Sequence, residues 1–348
     1  MAIKNFNGEY LRLIRQFHGM SQDELGQIIA ASRQYIHQIE ANMAQPSKEL
    51  HSALSLALQV RPDFFTVNKL DTTHHDHCHF RKLKSTPIST IKQAIAHTTL
   101  FESLLDYIKE YLEFPAPNFP NLGGVSDIEE AAKECRKLWK LGLDTPIDNM
   151  ARVLENAGAI ILYYTSISPK LDAISIYKSQ PIIIRSDVKK SSARARFDMA
   201  HECGHLVLHN GLESDNYKLE DEANRFASAF LMPKDSFIKE FSKSKKIDWK
   251  NLTRMKLRWK TSYHALIRRA FDLNLIDTIL LRRAHVYLVK SGQRIHEDYD
   301  EDIPQEIPEL INDAIKTLNN DLNITMTEIA EKINITPTIL RKLVNASR

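Results

Sequence analysis

The chain has 348 residues, of which 43% are hydrophobic and 26% charged, with a formal net charge of +3. That length accommodates two or three domains, and the composition is that of an ordinary soluble protein. No apolar run reaches the length of a membrane span, and Met1 to Met20 lacks a signal-peptide core. Cys78, Cys135 and Cys203 are scattered, odd in number and without a C-x-x-C pair, so a reducing cytoplasm is expected and no membrane partner.

The first stretch, 1–67, reads as a bundle of short helices. Glu9 to His18 is amphipathic, and Ser21 opens a second helix with Glu24 at the capping-box position. Leu25, Ile28 and Ile29 supply its apolar face. After Ala30-Ala31, Ser32 caps a third helix running to about Glu40, and Pro46-Ser47 begins a fourth that extends through Leu58. Short helices with a tight connection between the second and third describe a helix-turn-helix. The run MSQDELGQIIAASRQYIHQIEANMAQPS resembles the XRE family of such domains, which implies DNA as a partner.

Two positions depart from that family's glycine preference, Ala31 in the turn and Asn42 after the Ile-Glu pair. Asn tolerates a left-handed backbone, whereas Ala is strained there. On the third helix Ile36 and Ile39 should face the core, leaving Arg33, Gln34, Tyr35, His37 and Gln38 for a major groove. Arg matches guanine and Gln adenine because each makes two parallel hydrogen bonds to that base edge. Gln22 is placed for a phosphate contact. Met1 to Val67 carries six basic and six acidic residues, so the module lacks a net positive charge; homodimerisation or basic segments elsewhere are expected to assist it, with a protein-interaction role as the alternative.

Residues 68–124 read as a helical linker. His74-His75-Asp76-His77-Cys78-His79 has metal-binding residue types, but they are too close together to encircle one ion, and a polar linker is expected. The adjoining Phe80 to Lys84 suits a linker with a docking role. Thr86 to Phe114 reads as one long amphipathic helix, stopped by Pro115, Pro117 and Pro120. Helices over Asp127 to Leu141 and Pro146 to Ala157 and a strand over Ala159 to Tyr164 follow.

The most specific chemistry lies in Ala200 to His209, AHECGHLVLH, which contains H-E-x-x-H at His201-Glu202-Cys203-Gly204-His205. On a helix, residues four apart share a face, so His201 and His205 can present imidazoles to one Zn²⁺. Glu202, displaced by about 100° round the axis, can address a water activated by the metal and act as general base, later giving the proton to the leaving amine. Pro181 to Ala200 leads into the motif as a strand, a polar turn and a helix start. Lys218 to Pro233 forms a second amphipathic helix rich in carboxylates. There Glu220, Ala223, Asn224 and Ala227 share a stripe whose small residues permit close approach to the first helix, which makes Glu220 the preferred third ligand. Glu222 is the second choice, with Asp221 and Asp215 behind it. His209 continues the stripe from His205 and is expected behind the ligands or exposed, not as a ligand itself, and Tyr217, His209 and His264 are candidates to assist the oxyanion.

The block RARFDMAHECGHLVLH followed by EDEANRFASAFLMP resembles the ImmA/IrrE family of bacterial metallopeptidases over roughly Thr145 to Arg269. That resemblance implies zinc on His201, His205 and Glu220, catalysis by Glu202, and a transcriptional repressor or similar regulator as the cleaved protein. Cys203 stands where that family commonly has Leu and is expected to be a small apolar filler.

Charge is uneven towards the end of the chain. Lys234 to Arg269 holds twelve basic and three acidic residues, while Glu297 to Asp313 holds eight acids and no base, so these segments can pair within the chain or meet DNA or an acidic substrate. Thr325 to Leu343 has the helix, break, helix rhythm of another small helix-turn-helix, with Ile329, Ile333, Ile339 and Leu343 as anchors. A packing role is preferred for it over a second DNA reader.

The expected fold is mainly α with a small sheet: a helix-turn-helix bundle at 1–67, a linker at 68–124, a zincin-like metallopeptidase domain at 125–290 and a helical C-terminal region at 291–348. The expected function is that of a cytoplasmic DNA-binding regulator with zinc endopeptidase activity. The rival expectation is a transcriptional regulator or antitoxin whose peptidase fold serves as a sensor or interaction platform.

Overall fold

A computed structural model describes residues 5–66, 78–82, 87–164, 171–176, 180–186, 191–209, 217–242, 244 and 246–344. The side chains of the His74–His79 cluster, and Asp215, lie outside the described residues. The protein is mainly α with a small sheet.

Four short helices open the chain: α1 (Gly8–Phe17), α2 (Gln22–Ile28), α3 (Arg33–Glu40) and α4 (Lys48–Ala57). Each starts where a side chain can accept from an otherwise unpaired backbone N–H. Asn7, Ser21, Ser32 and Ser47 do so, and Ser21 forms the reciprocal capping box with Glu24. Leu25, Ile36 and Ile39 are fully buried among them, whereas Ile28, expected in the core, is 56% exposed. Its neighbour Ile29 caps α2 and is half-buried, so the apolar face is narrower than the sequence suggests.

Cys78–Lys82, expected as linker, is strand β1, and it pairs antiparallel with β3 (Leu171–Ile176). Helix α5 (Ile88–Lys109) then packs along α1, while α6 (Ile128–Leu138) and α7 (Met150–Asn156) lead to β2 (Ile160–Tyr164) and, beyond β3, to β4 (Ile182–Ser186). The sheet order is β1-β3-β4-β2, with β2 and β4 parallel and the other pairs antiparallel.

Strands β2 and β4 open with continuous apolar runs, Ile160–Leu162 and Ile182–Ile184, because both of their faces are covered there. Side chains alternate across a strand. Ile160, Leu162, Ile182 and Ile184 therefore enter one core, shared with α1–α5, and Ile161 and Ile183 enter a second. That second core is built on α6, α7, α8 (Ser192–Leu208), α9 (Tyr217–Leu231), α10 (Lys234–Glu240), α11 (Trp249–Trp259), α12 (Tyr263–Asp272) and α13 (Thr278–Lys290). The last helices, α14 (Leu310–Asn320), α15 (Met326–Lys332) and α16 (Pro337–Val344), return to the first core.

The oppositely charged segments do pair within the chain. The buried Lys256 ammonium lies 2.7 Å from Glu297 and 2.6 Å from Asp300, and Glu297 also accepts from the Tyr263 backbone N–H at 2.6 Å. Among the described residues no helix is long and apolar enough to cross a membrane.

Candidate metal centre and nucleic-acid interface

The centre is assembled where α9 crosses α8 at close range. Gly204 permits this: a Cβ built there would lie 3.1 Å from the Phe226 ring and 3.2 Å from the Ala223 Cα. Ala223 and Ala227 are fully buried at the contact, as the small-residue stripe predicts. The approach carries Glu220 up to the two histidines. His201 Nε2 and His205 Nε2 are 3.0 Å apart, and the Glu220 oxygens lie 3.4 and 3.3 Å from them. Among the described residues this trio is the group able to hold a metal ion, its ligand atoms all within 4.8 Å of one another.

The hydrogen bonds around the trio identify which imidazole nitrogens face it. Asn224 donates from Nδ2 to the Glu220 carbonyl at 2.8 Å, leaving its Oδ1, 3.1 Å from His201 Nδ1, as an acceptor. His201 therefore donates from Nδ1 and turns the Nε2 lone pair inward. On the other side, His209 Nε2 lies 3.0 Å from a Glu222 oxygen, which can only accept. Burial lowers the His209 pKa and favours its neutral form, so its Nδ1 is an acceptor, 3.0 Å from His205 Nδ1. His205 then donates from Nδ1, and its Nε2 lone pair also points inward. Two imidazole lone pairs and a carboxylate converging on one point fit a divalent cation with nitrogen and oxygen ligands.

Burial alone would raise the Glu220 carboxyl pKa, but the imidazoles of His201 and His205 hold it well below the usual carboxylate range. Glu220 is the open edge of the group, its side chain 31% exposed, while Glu202, His201 and His205 are buried. Cys203 faces the core on the far side of α8, and burial pushes its thiol well above the ordinary value, which suits a filler and not a ligand.

The remaining candidates fall around this group. Glu222 engages His209 in place of the trio. Asp221 and the exposed Tyr217 line a cavity of about 690 Å³ that reaches Asn224 and so adjoins the metal group. His264 lines the same cavity and is bound through Nδ1 to Glu297 at 2.8 Å. His209 stands behind the ligands and not among them, as expected, whereas the roles of Asn224 and Glu222 in orienting the ligands were not anticipated. The only sequence signals for this network were Asn224 four residues after Glu220 and His209 four after His205.

At the other end of the chain, Arg33, Gln34 and His37 are exposed along α3, while Tyr35 and Gln38 are half-buried. Gln22, Arg33, Gln34 and His37 border one surface hollow. Gln22 also donates to the buried Glu40 carboxylate at 2.8 Å, where Arg15 Nη2 donates at 2.9 Å, so its amide ties α2 to α3. Arg33 lies 3.7 Å from Asp23, and the Tyr35 hydroxyl donates to the Gln45 carbonyl at 3.3 Å.

The left-handed turn residue is Ala30, at φ 54°, and not Ala31, because α2 caps at Ile29; Asn42 adopts φ 58° as expected. The Ala31 carbonyl packs over Gly26, where an added Cβ would lie 2.5 Å from it, so this turn as packed leaves no room for a side chain at that position.

Residues 159–271 match the peptidase family described as the IrrE N-terminal-like domain, and residues 11–65 match a helix-turn-helix family. A search of curated proteins found no match to the chain. The two matched regions coincide with the metal group and with the bundle of α1–α4, so this chain carries an XRE-type helix-turn-helix DNA-binding domain followed by an IrrE N-terminal-like peptidase domain.

Proposed function

We propose that the protein is a cytoplasmic DNA-binding regulator whose IrrE-like domain is a zinc-dependent endopeptidase acting on a protein partner, with transcriptional regulators as the substrate class. The observation that carries this reading is the convergence of His201 Nε2, His205 Nε2 and the Glu220 carboxylate, with the buried Glu202 next to His201 on the same helix. A scaffold has no physical need for a base next to such a group.

His201, His205 and Glu220 would hold the ion, and Asn224 and His209 keep the two imidazoles in the ligating tautomer. Zinc bound there would supply Lewis acidity. Glu202 takes the proton of the attacking water and returns it to the leaving amine. The adjoining cavity receives the peptide. Arg225 and Arg294 on its wall suit a segment bearing carboxylates. DNA recognition falls to Arg33, Gln34, Tyr35, His37 and Gln38, with Gln22 close to the backbone.

The test is co-purification of the products of neighbouring genes with wild type and with Glu202→Gln. The variant should retain zinc and trap a partner intact, and wild type should cleave that partner. If both leave every captured partner whole, the peptidase reading fails and a sensor or platform role replaces it.

A further inference from the structure

Beyond the peptidase domain, α15 and α16 repeat the geometry of α2 and α3 position by position. Thr325 caps α15 in a reciprocal box with Glu328, as Ser21 caps α2 with Glu24. Nine residues after each cap the chain passes through a left-handed residue, Ala30 at φ 54° and Asn334 at φ 58°. Two residues further on, Ser32 and Thr336 cap the second helix of each pair.

The buried positions fall in the same phase. Leu25 corresponds to Ile329, Gly26 to Ala330, Ile36 to Leu340 and Ile39 to Leu343, all of them buried. Counting outward from these anchors, the exposed α16 residues Thr338, Arg341 and Lys342 occupy the places that Gln34, His37 and Gln38 hold on α3. Helix α16 contains no carboxylate, and its two cations lie on the solvent side.

This second unit is locked to the first. Ile335 and Val60 form a β-bridge, the Arg61 N–H donates to the Asn334 carbonyl at 3.0 Å, and Arg61 pairs with Glu331 at 2.8 Å. The two units share one hydrophobic core, so packing and DNA reading are compatible roles for α15–α16.

We propose that α15–α16 is a second DNA-contacting helix-turn-helix, which presents Thr338, Arg341 and Lys342 to duplex DNA. The occupant is argued from charge and register: a cationic, acid-free helix face stands at the recognition position of a matched turn geometry. To the first module, whose six basic and six acidic residues cancel, it adds the two cations of an acid-free helix face. A rigidly attached second reader adds phosphate contacts without a second chain. The inference rests on the DNA-binding half of the proposed function and is independent of the peptidase half.

The test is a fluorescence-anisotropy titration of the full chain with a short duplex pool of random sequence over a series of salt concentrations. Arg341→Ala with Lys342→Ala should weaken binding and lower the slope of log K against log salt by about 1.8, or about 0.9 per lost phosphate contact. The affinity lost between 50 and 200 mM salt then becomes about tenfold smaller than in wild type. Arg341→Lys with Lys342→Arg should keep the wild-type slope, which separates charge from folding. An unchanged affinity and slope in the double alanine variant, with binding lost on Arg33→Ala, would overturn the second reader and leave the first intact. A wild-type chain that binds the pool at no salt concentration would overturn both.

Discussion

Arg196 joins the metal-bearing helix to the segment that leads into the C-terminal helices: its guanidinium donates to the Glu306 carboxylate, and both groups are buried. Arg196 stands five residues before His201 on α8. The other Glu306 oxygen accepts from the Met150 N–H at 2.8 Å, and the Tyr163 hydroxyl donates to the Glu306 carbonyl at 2.8 Å. One residue thus pins α7, α8 and β2 to the route by which the chain returns to the first core.

Removing one partner of this pair should be far more harmful than removing both. Arg196→Met leaves a carboxylate buried without its cation, and the expected loss is about 3–5 kcal/mol. Combining it with Glu306→Leu should recover part of that loss, because the stranded carboxylate is gone, while the Met150 N–H and the Ile147 carbonyl lose their partners and keep the recovery incomplete. Urea unfolding of the single and double variants measures the difference, and strictly additive losses would reject the coupling.

Gly204→Ala tests the close approach of α8 and α9. The added methyl meets the Phe226 ring and Ala223 backbone at 3.1–3.3 Å, so α9 must give by a few tenths of an ångström. An overpacking cost of about 1–3 kcal/mol is expected. Zinc affinity should fall with it, since Glu220 rides on the displaced helix three residues before Ala223. A variant with wild-type zinc affinity would separate the helix contact from ligand placement.

The groups behind the ligands should matter for metal binding. His209→Ala and Asn224→Ala each remove the partner that sets an imidazole tautomer, and each should weaken zinc by about 10–100-fold in chelator competition. Asn224→Asp retains an acceptor for His201 Nδ1 and should recover affinity. Glu220→Ala removes a ligand outright and should cost more than any of these; undiminished affinity there would exclude Glu220 from the ligand set.

The trio itself was legible because helical spacing places His201 and His205 on one face, and a small-residue stripe identifies the face of α9 that carries Glu220. The orienting network was not, because it depends on the two helices touching across Gly204, a contact that spacing along either helix does not reveal. Strand β1 escaped for a similar reason: its partner, β3, is remote in sequence. In the first module the capping residues were readable from local chemistry, but the left-handed position fell on Ala30, one residue earlier than expected, since α2 already caps at Ile29. The rhythm of α15–α16 was visible, whereas the surface that covers its apolar side becomes apparent only when Val60 meets Ile335.

His97 gives the shared core a defined response to acid. It lies on α5, 3% exposed, with its ring centroid 4.0 Å from that of Phe17. Burial lowers its pKa from 6.5 to about 3, assisted by the positive neighbours His18 and Lys342 and opposed by a hydrogen bond to the Phe17 backbone. The folded chain therefore binds fewer protons than the unfolded chain between these two values, and stability rises with pH across that window. The His97 contribution is fully present above pH 6.5 and is lost as the pH falls towards 3, at up to about 1.4 kcal/mol per pH unit and about 4–5 kcal/mol in all. His97→Gln removes the titration. Its urea midpoint should lie below that of wild type at pH 7.5, and the gap should narrow steadily as the pH is lowered to 5. A gap that stays constant over that range would show that His97 is not the group whose protonation opposes folding.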